Sequence, residues 1–234
     1  SRPLELFPQP QRIVISNEYC NFDQGVMLKG IDNPDKDAVE ILKQVLPLTQ
    51  SAQSFPLEVK KMKAKKLEMK RSGAYTLNVT LKGITIGIVD DRSLFYAAQT
   101  LKQLATHCEE GKHVLPLCTI EDYPDVLYRG SVEGFYGTPW SHTDRISQLR
   151  FYGEFKLNTY IYGPKDDPFH SANWREPYPT ELALQIKELA EEATRNKVDF
   201  VWAIHPGQDI KWNAADSSNV IVKFEQMYDL GVRS

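Results

Sequence analysis

The chain has 234 residues, of which 41% are hydrophobic and 25% are charged, and its net charge is −3. This length accommodates one large or two small domains, and the composition is typical of a folded protein in water. There is no overall basic excess that would favour nucleic acid, and no apolar run is long enough to span a bilayer. Three widely spaced cysteines, Cys20, Cys108 and Cys118, predict buried small side chains and neither a metal site nor a disulfide framework.

Strand and helix patterns alternate in the first half of the chain. Apolar periodicity and turn residues predict four strands at 11–16, 75–81, 84–89 and 114–120, and two helices at 34–46 and 93–107. Asn33 is the predicted N-cap of the first helix, and Asp90 or Asp91 that of the second. The pattern indicates a small α/β domain over residues 1–122, followed by a second domain over residues 123–234.

Residues 60–71 form a lysine-dense segment, KKMKAKKLEMKR. Such a segment is compatible with a surface that binds nucleic acid or another anion. No aromatic residues interleave with the lysines, and the chain as a whole is acidic. We therefore favour a solvated loop or an edge strand.

The second half repeats a strand–loop–helix unit three times. The predicted strands span residues 126–133, 158–162 and 198–204, and the predicted helices span 143–156, 179–196 and 217–230. His142 or Thr143 is expected near the N-terminus of the first of these helices. Successive units of this kind indicate parallel strands with crossover helices, either in an open sheet or in a (β/α)8 barrel. No GxGxxG motif follows a strand, and we favour an α/β fold that contains the first three units of a barrel, truncated before strand four.

Polar and aromatic residues follow each predicted strand, where parallel sheets and barrels place their sites. They lie at residues 133–136, 165–167, 205 and 208–209. The loop from Gly134 to Trp140 holds two glycines and three aromatic residues beside Glu133. A ligand with apolar faces and hydroxyl edges, such as a sugar, suits this loop. The alternative is that the aromatic rings only cap a hydrophobic core.

The adjacent carboxylates Asp166 and Asp167 are a candidate acid and base pair. The alternative is a turn before Pro168 in which one aspartate is a cap or pairs with a cation. Lys165 can donate to ligand hydroxyls or pair with either aspartate, and His205 can be a base, a donor or a structural residue. The sequence indicates no metal site and no cofactor.

Three segments carry a resemblance to a known family: RGSVEGFYGTPWSH, NTYIYGPKDDPFH and VDFVWAIHPGQDIKW. They resemble the opening barrel segments of family 84 glycoside hydrolases, the O-GlcNAcases and hyaluronidase-like β-N-acetylglucosaminidases, especially members from gut bacteria. The first 122 residues are similar to the α/β domain that precedes the barrel in such enzymes, which resembles domain 2 of hexosaminidases.

This resemblance implies a retaining, substrate-assisted reaction. The 2-acetamido oxygen of the substrate attacks the anomeric carbon to form an oxazoline, while two consecutive aspartates orient the acetamido group and supply the acid and base. In the family this pair follows the fourth strand, so it is expected beyond Ser234, and Asp166-Asp167 does not match it. Carried over by position, the backbone carbonyl of Gly134 and the Lys165 side chain contact sugar hydroxyls. Phe135, Tyr136 and Asp166 are candidates for the pocket wall.

The implied partners are GlcNAc-containing glycans or glycoproteins, with a periplasmic or secreted location. We expect the isolated chain to be inactive, and to form homo-oligomers or to associate with the remainder of its barrel. Two alternatives remain open at this stage. One is a non-catalytic carbohydrate-binding or scaffold fragment, and the other is a different α/β hydrolase that uses Asp166-Asp167.

Overall fold

The computed structural model describes residues 5–106, 112–207 and 209–234. The chain divides into two compact units, residues 1–127 and 128–234. Cys20 and Cys118 are buried free thiols, as predicted, and burial raises the pKa of Cys118 to about 11. Cys108 and the predicted helix end at His107 lie outside the described residues. No helix in the described ranges has the length and apolar character needed to cross a membrane.

The first unit is built on a mixed six-stranded sheet. Its strands are β1 (Arg12–Asn21), β2 (Val26–Lys29), β3 (Phe55–Lys61), β4 (Tyr75–Thr80), β5 (Gly83–Ile88) and β6 (Val114–Asp122). They lie in the order β1-β6-β4-β5-β3-β2. The pairs among β1, β6, β4 and β5 are antiparallel, whereas β3 runs parallel to both β5 and β2.

This unit has two helices among the described residues, α1 (Lys36–Val45) and α2 (Asp91–Ala105); α2 packs on β4, β5 and β6, and α1 packs on α2. Asp90 caps α2 as predicted, through a capping box with Ser93. The predicted cap of α1 was wrong: Asp35 accepts the Ala38 N–H at 2.9 Å, whereas Asn33 has a φ of 51° and lies outside the helix. Asn, Asp and Pro stand close together there, and the side chain that reaches a free N–H determines where the helix starts.

The lysine-dense segment begins inside the sheet. Lys60 and Lys61 end β3, where this strand pairs with β5 but has passed the end of its pairing with β2 at Glu58, so this end of β3 is an edge among the described residues, as predicted. The remainder is a loop, as predicted, with one turn of 3-10 helix at Glu68–Lys70. Both β2 and the first part of β3 were missed because they are short and flanked by glycine or proline, which weakens any periodic signal.

Three parallel strands alternate with three helices in the second unit, which confirms that prediction. The strands are β7 (Gly130–Glu133), β8 (Thr159–Tyr162) and β9 (Asp199–Trp202), in the order β7-β8-β9. The helices are α3 (His142–Glu154), α4 (Thr180–Arg195) and α5 (Ala214–Asp229). Buried apolar and aromatic side chains of the strands and helices form one core, which includes Leu149, Tyr160, Ile186, Phe200 and Met227.

Several boundaries of this unit differ from expectation: β9 ends at Trp202 instead of residue 204, and α5 begins at Ala214 instead of residue 217. Residues 126–129 are not strand, although their apolar character predicted it, since β7 begins only where Gly130 pairs with Thr159. A Cβ at Gly130 would lie 1.6 Å from the Thr159 carbonyl oxygen, so only glycine allows this approach. Ser141, rather than His142 or Thr143, is the N-cap of α3.

Candidate functional site

The loops that follow β7 and β8 start side by side. Glu133 and Tyr162 are opposite each other at the ends of the two strands, and the Gly163 N–H donates to the Glu133 carbonyl at 3.0 Å. A Cβ at Gly134 would lie 3.7 Å from the Gly163 carbonyl oxygen. Parallel pairing therefore brings the predicted residues of the first loop, Gly134 to Tyr136, next to those of the second.

The buried Glu133 carboxylate anchors the first loop. It is 1% exposed, and its Oε1 accepts the Arg145 Nη2–H at 2.7 Å and the Trp140 backbone N–H at 3.1 Å. Its Oε2 accepts the Arg145 Nε–H at 2.8 Å and the Tyr160 hydroxyl. Because Glu133 precedes the loop and Trp140 ends it, this carboxylate ties the two ends of the loop together.

In the cluster of Glu133, Arg145 and Tyr160, charge pairing outweighs the cost of burying the Arg145 charge. Burial opposes the charge on Arg145, but its hydrogen bonds and ion pair with Glu133 raise the pKa of the guanidinium above its ordinary value. Burial, followed by the hydrogen bond to Glu133, raises the pKa of Tyr160. Tyr160 therefore stays a neutral donor. A paired, fully hydrogen-bonded charge of this kind holds its neighbours in one geometry.

The sequence suggested that the aromatic rings of the first loop either bind a sugar or cap the core, and the structure contains both core-packed and exposed rings. Trp140 packs on the core, with its ring 6.4 Å from that of Tyr160, and Phe135 packs edge-on against Trp140 at 5.3 Å. Tyr136 is 91% exposed. The loop thus caps the core with one ring and presents another to solvent.

Lys165 meets this exposed ring. Its Nζ lies 5.4 Å from the centroid of the Tyr136 ring, which is the range of a cation–π interaction. No ion pair joins Lys165 to Asp166 or Asp167 in the part of the chain that the structure describes. The ammonium therefore lies at the surface beside Tyr136, with donors free for a ligand.

Asp166 and Asp167 have different environments. Asp166 is exposed, whereas Asp167 is buried and caps the short turn that follows it, since its Oδ1 accepts the Phe169 N–H at 2.8 Å. Its Oδ2 accepts the hydroxyls of Tyr162 at 2.8 Å and Tyr178 at 2.7 Å. These bonds occupy the Asp167 carboxylate, which fits the capping interpretation better than a role as acid or base.

We predict that Asp167→Asn in a full-length enzyme keeps most of the turnover. The amide oxygen can still accept hydrogen bonds, so the main effect is a loss of stability of about 1–3 kcal/mol from one poorly matched buried group. Steady-state kinetics below the melting temperature of the variant check this. A fall in kcat of about a thousandfold at unchanged KM would assign Asp167 a transition-state role and favour the alternative hydrolase.

The loop after β9 carries His205 and Asp209. His205 is exposed, its backbone N–H donates to the His170 carbonyl at 2.6 Å, and its Nδ1 accepts the Gly207 N–H at 3.2 Å. Asp209 accepts hydrogen bonds from Arg175 at 2.5 Å and Trp174 at 3.1 Å, and the bond from Arg175 lowers its pKa. Asp209 thus has a structural role that fastens this loop. Gln208 lies outside the described residues.

Several supporting residues were not predicted from sequence. Arg145 and Tyr160 hold Glu133, and Tyr178 holds Asp167. The buried amine of Lys223 donates to the Phe169 carbonyl at 2.9 Å and lies 4.6 Å from the centroid of the Tyr178 ring, and burial lowers its pKa to about 8. A basic residue within an otherwise apolar helix face is the one signal that was available for Arg145 and Lys223.

Within residues 5–106, 112–207 and 209–234, no group of three or more His, Cys, Asp or Glu side chains is placed to hold a metal ion. The polar groups at the strand ends are instead hydrogen-bond donors and acceptors beside exposed aromatic surface. This combination suits a polyhydroxylated ligand.

Comparisons with known proteins define the class of protein. Residues 129–234 match the family described as beta-N-acetylglucosaminidase, and residues 4–123 match domain 2 of glycosyl hydrolase family 20. Both descriptions are of glycosidases, so the chain is a member of the glycoside hydrolases. The chain belongs to glycoside hydrolase family 84, the O-GlcNAcase-like β-N-acetylglucosaminidases, and corresponds to an N-terminal portion of such a protein.

The individual relatives differ in how much of each chain the match covers. Protein O-GlcNAcase of Rattus norvegicus is 42% identical over 106 residues, which are 45% of this chain and 12% of that protein. The solved structure of CpGH84B is 35% identical with a TM-score of 0.87, covering 99% of this chain and 43% of the other. CpGH84D is 29% identical with a TM-score of 0.85, covering 100% and 44%. This chain thus spans less than half the length of these relatives.

Proposed function

We propose that this chain is part of a β-N-acetylglucosaminidase that removes terminal β-linked GlcNAc, such as O-linked GlcNAc, from glycans or glycoproteins. Membership of family 84 supports the reaction class. The second unit, with its three parallel strands and crossover helices, supplies the start of a (β/α)8 barrel in this proposal. The site at the carboxyl ends of these strands is then one wall of the sugar pocket.

One observation carries the assignment of the pocket wall. The loop that begins at Gly134 and the loop that carries Lys165 start from hydrogen-bonded neighbours, and the Lys165 ammonium lies 5.4 Å from the Tyr136 ring centroid. The Gly134 backbone, an ammonium donor and exposed aromatic rings thus lie at the same edge of the sheet, which supports a shared ligand. Hydroxyls need such donors and acceptors, and the apolar face of a sugar ring needs an aromatic surface.

Each residue of this wall has a proposed role. The Gly134 carbonyl accepts from one sugar hydroxyl, and Lys165 donates to a neighbouring one. Phe135 and Tyr136 line the pocket, and Asp166 lies at its rim. None of them contributes to acid–base chemistry, because the proposed mechanism takes its nucleophile from the 2-acetamido group of the substrate and its two carboxylates from an aspartate pair outside these 234 residues.

Lys165→Ala in a full-length enzyme is expected to weaken the binding of a GlcNAc-type inhibitor by about 1.5–3 kcal/mol, the range for a hydrogen bond to a charged group. Isothermal titration calorimetry measures the change. Lys187→Ala is the matched control, because Lys187 is an exposed lysine on α4, away from the strand ends, and we expect unchanged affinity. If both variants bind as tightly as the parent, Lys165 does not contact the sugar.

A further inference from the structure

Positive charge is concentrated in one segment of the first unit. Residues 60–71 hold seven of the 28 basic residues and one of the 31 acidic residues, so the segment carries +6 and the rest of the chain carries −9. Like charges placed this close repel one another. The segment therefore creates a local positive potential on an otherwise acidic protein.

Local contacts neutralise only part of this charge. Lys60 pairs with Glu58 at 2.8 Å, and Lys66 pairs with Glu121 at 2.9 Å. The exposed residues Lys63, Lys65 and Lys70 make no ion pair within the described part of the chain. Their ammonium groups remain available to an external anion.

Two of these lysines line a cavity of about 340 Å³ in the first unit. Its other walls include the methionines Met62 and Met69, Thr76, and the ion pair of Lys66 with Glu121. Gly87 lies beside the cavity, since a Cβ there would be 2.7 Å from Met62 Cγ and 2.4 Å from Thr76 Oγ1. The absence of a side chain at Gly87 leaves room for Met62, which supplies an apolar wall of the cavity.

We propose that this cavity and its two unpaired lysines, Lys63 and Lys65, bind an acidic glycan, that is, a chain containing uronic or sialic acid. The ammonium groups pair with sugar carboxylates, Thr76 and Glu121 hydrogen-bond to hydroxyls, and the methionines contact the apolar face of a sugar ring. This site belongs to the first unit and goes beyond the proposed function, whose residues are all in the second unit.

The lining distinguishes this ligand from other polyanions. No aromatic side chain lines the cavity among the described residues, so there is no platform for stacking nucleic-acid bases. The Glu121 carboxylate, which pairs with Lys66, accepts hydrogen bonds from the hydroxyls that every sugar unit of a glycan offers. A concave site of this size also suits a sugar unit better than the flat surface of a bilayer.

The proposal is tested by titrating the 234-residue chain with a fluorescently labelled hexamer of galacturonic acid at low ionic strength, followed by anisotropy. Parallel titrations use a neutral hexasaccharide, a single-stranded oligonucleotide of equal charge, and vesicles that contain an anionic lipid. We expect at least tenfold tighter binding of the galacturonate hexamer than of any of the other three. Equal binding of all the anionic probes, or no binding of the hexamer, overturns the proposal.

Three variants assign the site. Lys63→Glu combined with Lys65→Glu is expected to weaken hexamer binding at least about tenfold, by loss of charge-assisted hydrogen bonds. Lys36→Glu combined with Lys82→Glu makes the same change of charge at exposed positions elsewhere in the unit and is expected to change binding less than threefold. Thr76→Val keeps shape and charge, and its loss of one hydroxyl is expected to weaken binding about 2- to 10-fold. Equal effects of the two charge reversals would refute this location.

Discussion

The 234-residue chain alone is expected to hydrolyse 4-methylumbelliferyl β-N-acetylglucosaminide at least about 100-fold more slowly than a full-length enzyme of the family. In the proposed mechanism the chain holds sugar contacts but neither of the two carboxylates. General acid–base assistance alone commonly contributes about 100- to 10,000-fold to the rate. Asp167 cannot substitute, because its carboxylate already accepts hydrogen bonds from two tyrosines and a backbone N–H.

The same chain is also expected to associate in solution, because of the open strand edges and apolar surface of its second unit. Its sheet consists of β7, β8 and β9, and within the described ranges each outer strand pairs with one neighbour only. Beside β9 an apolar cavity of about 790 Å³ is lined by Trp202, Phe224, Met227 and Val232, among others. Open strand edges and exposed apolar surface favour association. Light scattering is therefore expected to give a mass above that of the monomer.

Both measurements use the chain of residues 1–234 and a full-length family member assayed under the same conditions. A monomer with turnover close to that of the full-length protein would contradict the proposed location of the carboxylates. Inactivity together with a folded, associated chain is the expected combination. Circular dichroism confirms that inactivity does not reflect unfolding.

A second large effect is expected for the buried ion pair of Glu133 and Arg145, which anchors the first loop. Arg145→Met is expected to destabilise the second unit by about 3–5 kcal/mol, since it leaves the Glu133 charge buried without its partner. Glu133 is 1% exposed, so water cannot replace the guanidinium without opening the structure. The loop that carries Gly134 and Tyr136 then loses its anchor, and sugar binding is expected to weaken as well.

The distribution of tryptophan makes this measurable in the intact chain. All four tryptophans, Trp140, Trp174, Trp202 and Trp212, belong to the second unit. Urea unfolding followed by tryptophan fluorescence therefore reports on that unit alone. Arg150→Met is the matched control: Arg150 lies on the same helix, its side chain is 67% exposed, and its partner Glu192 keeps a second cation, Arg195, after the substitution. We therefore expect a loss of about 0–1 kcal/mol, the range for an exposed ion pair. Equal losses in the two variants would show that leaving the Glu133 charge without a cationic partner has no special effect.

A double variant separates the charge from the packing. Glu133→Gln combined with Arg145→Met removes both charges, while the amide oxygen can still accept from Tyr160 or from the Trp140 N–H. It is expected to be more stable than Arg145→Met alone, because an unpaired buried charge costs more than a neutral amide. A double variant that is less stable than the single one would contradict this account.

Local sequence was sufficient to predict most of the helices and strands. The apolar stripes of α2 and α4 repeat with the helical period, and the three strand–loop–helix units follow one another in chain order, so a parallel arrangement could be predicted from covalent order alone. The same reasoning placed Gly134 and Lys165 at one edge of the sheet, because parallel strands align their carboxyl ends. The predicted positions of the helix caps were correct only to within a few residues, because several side chains near each helix start are able to cap it.

Contacts between residues distant in sequence decided the remainder. A strand exists only where a partner accepts its hydrogen bonds, so residues 126–129 remained outside β7 although their composition favours a strand. Asp166 and Asp167 are chemically identical neighbours, yet only Asp167 is buried, because Tyr178 reaches it from 11 positions away. Arg145 meets Glu133 across 12 positions in the same way. Burial and charge pairing depend on three-dimensional proximity, which periodicity along the chain does not encode.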